Sequence, residues 1–228
     1  VHVLPRSGRI NAFMIDEKGK GLRALGGDFV NAASSPSKNV VIAAIPNQKS
    51  KKGSKTTTSA HVLRLLAPGD VDANVTAELI STDGVFIPVG LNSRTVTAGI
   101  VTEFDLSPKI SAKAFALRIT SNEPVIASVQ STVISGGRKD FTWSTASTEL
   151  TPLTIAVTGL TPLIIFAGSE INIALDVTLI NGKVIREQIK GSDVAMWRAP
   201  ATARSFTIPR VGPSTYAGGL VSSVNGYG

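Results

Sequence analysis

The 228-residue chain contains no cysteine and only two histidines, His2 and His61. The absence of cysteine excludes disulfides, thiolate metal sites and a cysteine nucleophile. A zinc site needs three or four nitrogen or sulfur ligands, which two distant histidines do not supply. A Ser-His-Asp triad around His61 is formally open, but the chain has no Gly-x-Ser-x-Gly turn to present a nucleophile. We interpret His61 as a strand residue on a solvated face.

Long apolar runs and aromatic side chains are also scarce. The chain has no run of about 20 apolar residues, which a membrane-spanning helix requires. Aromatic residues make up 5% of the chain, and Trp143 and Trp197 are the only tryptophans, whereas carbohydrate clefts are usually lined with aromatic rings. Phe141 and Trp143 alternate along the sequence, so both side chains should point to one side of a strand and into a core.

Short runs of β-branched and apolar residues recur along the chain and are separated by turn signals. Asp83-Gly84 and Asn181-Gly182 each stand between two such runs and predict tight hairpins, because these turns need positive φ. Pro68-Gly69-Asp70 predicts a further turn. No window of about eleven residues has a clean helical period. We therefore predict an all-β protein.

Two segments have nearly the same sequence: GGDFVNAASS at residues 26–35 and GGRKDFTWSTAS at residues 136–147. The segments that follow also match, each with an apolar strand, a turn, a longer strand and an x-Gly hairpin. A period of roughly 100 to 110 residues indicates tandem domains rather than a solenoid. We predict tandem antiparallel β-sandwich modules of immunoglobulin-like architecture. Residues 28–147 form the first module, residues 148–228 form a truncated second one, and residues 1–27 are tail strands of a preceding unit or complete the second module.

The repeated Asp-Phe pair predicts local contacts. Asp28 and Asp140 should accept backbone N–H bonds at a turn or strand start, and Phe29 and Phe141 should close the bottom of a core. The glycine pairs are expected in turns or bulges.

Asp70 and Asp72 have the Asp-x-Asp spacing of a calcium loop but lack its remaining ligands, so we interpret them as turn-capping residues. No metal or cofactor is predicted.

The net charge of +7 is concentrated in the first quarter of the chain. Residues 1–55 contain ten Lys or Arg and three Asp or Glu, whereas the remainder contains thirteen of each. The Lys-rich segment (residues 47–58, NQKSKKGSKTTT) carries Lys49, Lys51, Lys52 and Lys55. No aromatic residue accompanies these lysines, which argues against nucleic-acid binding. Lysines alone predict a salt-sensitive attraction to polyanions; the alternative is a flexible, solvated loop that keeps the protein soluble.

The segments KAFALRITSNEPVIASVQST and GGRKDFTWSTASTEL, with LAPGDVDANVTAELISTDG upstream, resemble an uncharacterised actinobacterial family. Ala67 replaces the asparagine that usually precedes Pro68 in that family's pattern. Its members are extracytoplasmic, usually tethered by one N-terminal membrane helix and often encoded near cell-envelope glycosyltransferases. The resemblance implies a cell-surface location with a membrane anchor outside this chain, and it implies no chemistry.

We therefore expect a non-catalytic structural or interaction protein of the cell envelope. Its partners would be an anionic envelope polymer, lipid headgroups or another envelope protein, with the Lys-rich segment as the docking element. The alternative is a carbohydrate-binding accessory module for an envelope polymer. A third hypothesis is a hydrolase or transferase whose site is assembled only in space.

Overall fold

The computed structural model describes residues 6–7, 12–20, 23–32, 35–47, 58–135, 138–223 and 226–227. Within them the regular secondary structure is all β-strand and the named strands pair antiparallel, which confirms the all-β prediction. No helix long and apolar enough to cross a bilayer occurs among these residues.

The strands form three main groups in chain order, followed by a small terminal pair. The first group is a two-stranded hairpin, β1 (Phe13–Lys20) and β2 (Arg23–Asn31). The second is an eight-stranded sheet: β3 (Ser37–Pro46), β4 (Thr58–Leu66), β5 (Ala73–Ser81), β6 (Gly84–Phe86), β7 (Arg94–Val96), β8 (Thr102–Leu106), β9 (Ala114–Ser135) and β10 (Arg138–Thr145). The third is a five-stranded sheet: β11 (Leu153–Ala156), β12 (Leu163–Leu179), β13 (Val184–Arg198), β14 (Ala203–Ile208) and β15 (Tyr216–Leu220). The terminal pair is β16 (Ser222–Ser223) and β17 (Gly226–Tyr227).

The 22-residue strand β9 organises the eight-stranded sheet. Its first half pairs with β5 up to Ser121 and with β3 as far as Val125, and its second half pairs with β4 from Ile126 and with β10. Pro124 lies between the two halves and cannot donate a ladder hydrogen bond, which suits a change of partners there. Phe115 and Leu117 from the first half share one buried core with Val129 from the second half. The strand therefore contributes to this core along most of its length.

The five-stranded sheet has its own core, formed by alternate residues of β12 together with β13 and β14. Phe206 of β14 is fully buried, and its ring meets that of Trp197 edge-on with centroids 5.0 Å apart.

A third buried cluster joins the two larger sheets. In β3, Ile42 faces the first core, whereas Val41 and Ala43 face the five-stranded sheet and contact a cluster that includes Ile165. Strand β3 is thus apolar at consecutive positions because it is buried on both faces. Gly218 of β15 makes this close approach possible, since a Cβ there would lie 2.6 Å from the Ala44 Cβ.

Polar contacts at the same seam are few in the described residues. Arg118 of β9 bonds Glu78 at 3.1 Å and Asp193 of β13 at 3.4 Å, so one guanidinium links the two sheets. All three side chains are about one-third exposed, so this ion pair stabilises the seam only modestly, by less than about 1 kcal/mol. The apolar cluster is the main contribution.

Both predicted hairpins are confirmed. Ser81 pairs with Gly84 between β5 and β6, and Asn181-Gly182 lies in the turn between β12 and β13. The turn predicted at the matching place in the second copy, between its apolar strand and its longer strand, is wrong. Strand β12 runs unbroken through this place, with only an irregularity between Gly168 and Ile171. Alternate residues after this irregularity are buried in the core, so the strand can continue without a turn.

The predicted module boundaries can be placed on the sheets. The boundary between residues 27 and 28 falls inside β2, whereas that after residue 147 lies between the end of β10 and the start of β11. The β1–β2 hairpin pairs with neither larger sheet in the described ladders. An immunoglobulin-like tandem arrangement stays a prediction.

Candidate functional site

The β1–β2 hairpin covers the open edge of β10. In the ladders of the described residues, strand β10 pairs with β9 alone, along one of its sides. On its other side, the Asp28 carboxylate accepts hydrogen bonds from the Trp143 backbone N–H and, at 2.9 Å, from the Thr142 hydroxyl. Asp16 of β1 accepts the Trp143 indole N–H at 2.8 Å. An exposed strand edge invites pairing with other chains, and here the Asp28 carboxylate occupies it.

The two copies of the repeated motif lie against each other. Gly26 has φ +135°, and a Cβ there would lie 2.8 Å from Asp140 Oδ1 and 3.2 Å from the Asp140 Cα. Glycine is therefore needed at this position for both its conformation and its contact. Asp28 and Asp140 each accept the N–H of the following phenylalanine at 2.9 Å, as predicted, although both lie within strands rather than at strand starts.

The phenylalanines of the two copies have opposite environments. Phe141 is 3% exposed, with Lys18 Nζ 4.5 Å from its ring centroid, which confirms its predicted burial. The prediction for Phe29 is wrong, because it is 68% exposed. Strand β2 turns Gly26 and Asp28 toward β10, so Phe29, one residue on, points away.

A narrow apolar space lies between the hairpin and the eight-stranded sheet; we call it the hairpin slot. Its volume is about 240 Å³. It is lined by Met14, Val30, Arg64, Leu65, Leu66, Val101, Ile126, Ser128 and Trp143.

The charged side chain that lines the hairpin slot, Arg64, forms an ion pair and a ring contact within the protein. Arg64 Nε donates to Glu103 at 2.5 Å, and its guanidinium carbon lies 4.7 Å from the Trp143 ring centroid. Arg64 Nη1 also donates to the side-chain amide oxygen (Oε1) of Gln130 at 3.4 Å. Gln130 is buried, and its side-chain nitrogen has no hydrogen-bond partner.

The larger concavity is a groove of about 660 Å³ beside the seam between the two sheets; we call it the seam groove. It is lined by Asn31, Ala32, Ala44, residues 142–151, Leu153 and residues 217–220. Two serine hydroxyls of the groove form hydrogen bonds within the protein: Ser144 donates to the Ala44 carbonyl at 2.6 Å, and Ser147 accepts the Ala43 N–H at 3.2 Å. Thr148, Glu149 and Thr151 are exposed. The groove therefore presents hydroxyl and carboxylate groups to solvent.

A smaller concavity shares Ser147, Thr148 and Glu149 with the seam groove and is also lined by Tyr216. Partial burial, and secondarily the Glu149 carboxylate, raise the pKa of Tyr216 above its usual value. The Tyr216 side chain is therefore uncharged at pH 7 and contributes a polar group to the lining of this concavity.

His61 lies in the core of the eight-stranded sheet, not on a solvated face, which corrects the expectation. It is 2% exposed, its Nδ1 lies 3.0 Å from the Ser131 hydroxyl, and its ring meets Phe115 edge-on at 5.3 Å. Burial lowers its pKa to about 4. The ring is neutral at pH 7 and is shielded from solvent. The described residues contain no group of three or more His, Cys, Asp or Glu that could hold a metal ion.

Other singled-out residues have structural contacts. Trp197 is 6% exposed, and its indole N–H donates to Glu187 at 2.5 Å, so it cannot offer a face to a ligand. Asp72 accepts the Ala98 N–H at 2.9 Å, in agreement with a capping role. Gly218 and Gly219 lie inside strand β15 rather than in the predicted turn.

Lys49, Lys51, Lys52 and Lys55 lie outside the described residues, as does His2. Strand β3 ends at Pro46 and β4 begins at Thr58, so the four lysines belong to the connection between these two strands.

In the part of the chain that the structure describes, the fold is all-β with several antiparallel sheets, and an open polar groove and a small apolar slot lie on it. The model of a family of unknown function, DUF5719, matches residues 1–183, and the chain belongs to this family. No significant match was found among curated proteins or among solved structures.

Proposed function

We propose that this chain is a non-catalytic interaction protein of the cell envelope that docks on anionic surfaces through Lys49, Lys51, Lys52 and Lys55. One observation carries the proposal: the whole positive excess lies in residues 1–55, while the remainder of the chain is balanced. A localised excess attracts polyanions to one region of the molecule, whereas the same charge spread evenly would act only on solubility.

Each end of the Lys-rich segment is bound either to β9 or to the residues just before β9. The segment therefore begins and ends at fixed places on the eight-stranded sheet, which supports a defined docking region. Pro46 pairs with Ala114, and the Asn47 side chain donates to the Ala112 carbonyl at 2.8 Å. At the other end, Thr58 pairs with Ile134. Each lysine near an anionic surface contributes roughly 1 kcal/mol, so four together contribute about 4 kcal/mol, or about a thousandfold in Kd.

The extracytoplasmic location and the membrane anchor are also part of this proposal. They are supported by the resemblance of the segments around Arg118 and Trp143 to an actinobacterial envelope family. The target would be lipid headgroups, an anionic envelope polymer or another envelope protein with an acidic surface.

Binding to vesicles with anionic lipids tests the docking role. Replacing the four lysines by glutamine should weaken binding at low salt by about a thousandfold, and binding by the unaltered protein should fall steeply as salt rises. The matched control replaces Lys38, Lys139, Lys183 and Lys190 by glutamine, which removes the same charge from exposed positions elsewhere. Equal loss of binding in both variants would show an effect of net charge alone and would contradict the proposal.

A second candidate function is carbohydrate binding, and the seam groove is the observation that favours it. Its exposed Thr148, Glu149 and Thr151 can donate to or accept from sugar hydroxyls, and Trp143 lines the same groove. Aromatic rings next to a few polar groups are typical of small-molecule sites.

A glycan array followed by calorimetry on any hit tests the second candidate. Thr151→Val combined with Glu149→Gln should weaken a true groove ligand by about tenfold, because the first change removes a hydrogen bond and the second replaces a charge-assisted bond by a neutral one. Thr82→Val with Glu170→Gln, at exposed positions outside the groove, is the matched control and should leave affinity unchanged. A glycan whose affinity is reduced equally by the two double variants does not bind in the seam groove.

A further inference from the structure

We propose that the hairpin slot binds an uncharged hydrocarbon chain of about eight to ten carbon atoms, as found in a lipid tail or a long-chain alcohol. This inference does not depend on the docking function above. It follows from the shape of the slot, the chemistry of its walls and the pairing of its single charged residue.

The roof and floor of the slot are both built from apolar cross-strand neighbours. Met14 of β1 pairs with Val30 of β2 in the roof, and Leu66 of β4 pairs with Ile126 of β9 in the floor. Directly opposed side chains on one face of a sheet lie about 5 Å apart. Each pair therefore forms a continuous aliphatic surface that a chain could contact along its length.

The roof is attached to the sheet from one side. In the described part of the chain, Thr142 and Trp143 of β10 donate the side-chain hydrogen bonds that link the larger sheet to the hairpin, and the Asp16 and Asp28 carboxylates accept them. The mouth of the slot is open to solvent, since Met14 is 56% and Val101 is 54% exposed. Methionine adapts easily to ligands of different shape.

The volume sets the size of the ligand. About 240 Å³ holds roughly eight groups of the size of a water molecule, which occupies about 30 Å³, and a methylene group is of similar size. A strand or helix of a partner protein would not fit. The occupant is therefore a short chain rather than a polypeptide segment.

The pairing of Arg64 determines that the ligand is uncharged. Its guanidinium bonds the Glu103 carboxylate at 2.5 Å and stacks over Trp143. A carboxylate entering the slot would lose its hydration without gaining a free cation, and a charge buried in this way is strongly disfavoured. A neutral chain incurs no such cost.

Displacement of the fluorescent probe N-phenyl-1-naphthylamine by 1-decanol or decanoate tests the proposal. The unaltered protein should bind decanol at least about tenfold more tightly than decanoate. Val101→Glu should weaken decanol binding by about tenfold or more, because it places a charge at the mouth. Val89→Glu is the control, because Val89 is fully exposed and outside the slot. Lack of decanol binding, or equal loss in both variants, would overturn the proposal.

Glu103→Gln provides a test that does not require loss of binding. It leaves Arg64 without its carboxylate partner, so decanoate should gain at least about tenfold relative to decanol. An unchanged ratio of the two affinities would show that the ligands bind away from Arg64 and would overturn the assignment of the slot. Circular dichroism confirms that each variant retains its β structure.

Discussion

Acidification should destabilise this protein through His61. His61 lies in β4 between β8 and β9 and is 2% exposed, and burial lowers its pKa to about 4 from 6.5. Between these two values the unfolded chain binds a proton that the folded protein does not. The contribution of His61 to the free energy of unfolding is therefore complete above pH 6.5 and is lost as the pH falls through 4.

The size of this effect follows from the two pKa values. A difference from 6.5 to about 4, at 1.36 kcal/mol for each pH unit, corresponds to about 3 kcal/mol. This is a large fraction of the 5 to 15 kcal/mol, roughly, that stabilises a typical domain. His61 alone should therefore determine much of the acid sensitivity.

Urea unfolding at several pH values between about 7 and 4 measures this effect. His61→Gln retains a polar side chain that can bond Ser131 but does not titrate in this range. The difference in unfolding free energy between the unaltered protein and the variant should shrink by about 3 kcal/mol over this interval. All other ionisable groups are common to both proteins, so their contributions cancel in the difference between the two unfolding free energies. Two curves that run parallel from pH 7 to 4 would refute the reasoning.

Two further substitutions test the contacts that join the parts of the chain. Gly218→Ala places a Cβ against Ala44 at the seam and should lower the free energy of unfolding by about 1 to 3 kcal/mol, whereas Gly69→Ala, in open space, should have little effect in the same denaturation assay. Asp28→Ala removes the acceptor of the Trp143 N–H and should cost about 1 to 3 kcal/mol. It should also shift tryptophan emission to longer wavelength as the hairpin loosens; unchanged emission would contradict the role of Asp28.

The strand pattern, the two hairpins and the location of the positive charge could be predicted from the sequence. Gly84 and Gly182 have positive φ, which glycine adopts readily, so each Asp-Gly or Asn-Gly pair marks a turn through its own glycine. Alternation in a strand such as β5 reports burial of one face. These signals depend on neighbours in the chain. Composition likewise placed the charge excess in residues 1–55, because counting requires no structure.

The environments of matching residues were decided only by the tertiary structure. Phe29 and Phe141 occupy the same position in two copies of one motif, yet one is exposed and the other is buried beneath the first copy. Burial depends on which element packs on a strand, and that element can lie more than a hundred residues away. Nothing in the local pattern around either phenylalanine distinguishes them.

The hairpin slot and the seam groove both result from the packing of distant strands. The hairpin slot joins Met14, Leu66, Ile126 and Trp143, which come from four strands. A strand's own residues specify which side chains alternate, but the pairing and packing of distant strands decide which of them face each other. The sequence by itself determined that this chain would form sheets, and the long-range packing of those sheets determined where the concavities lie.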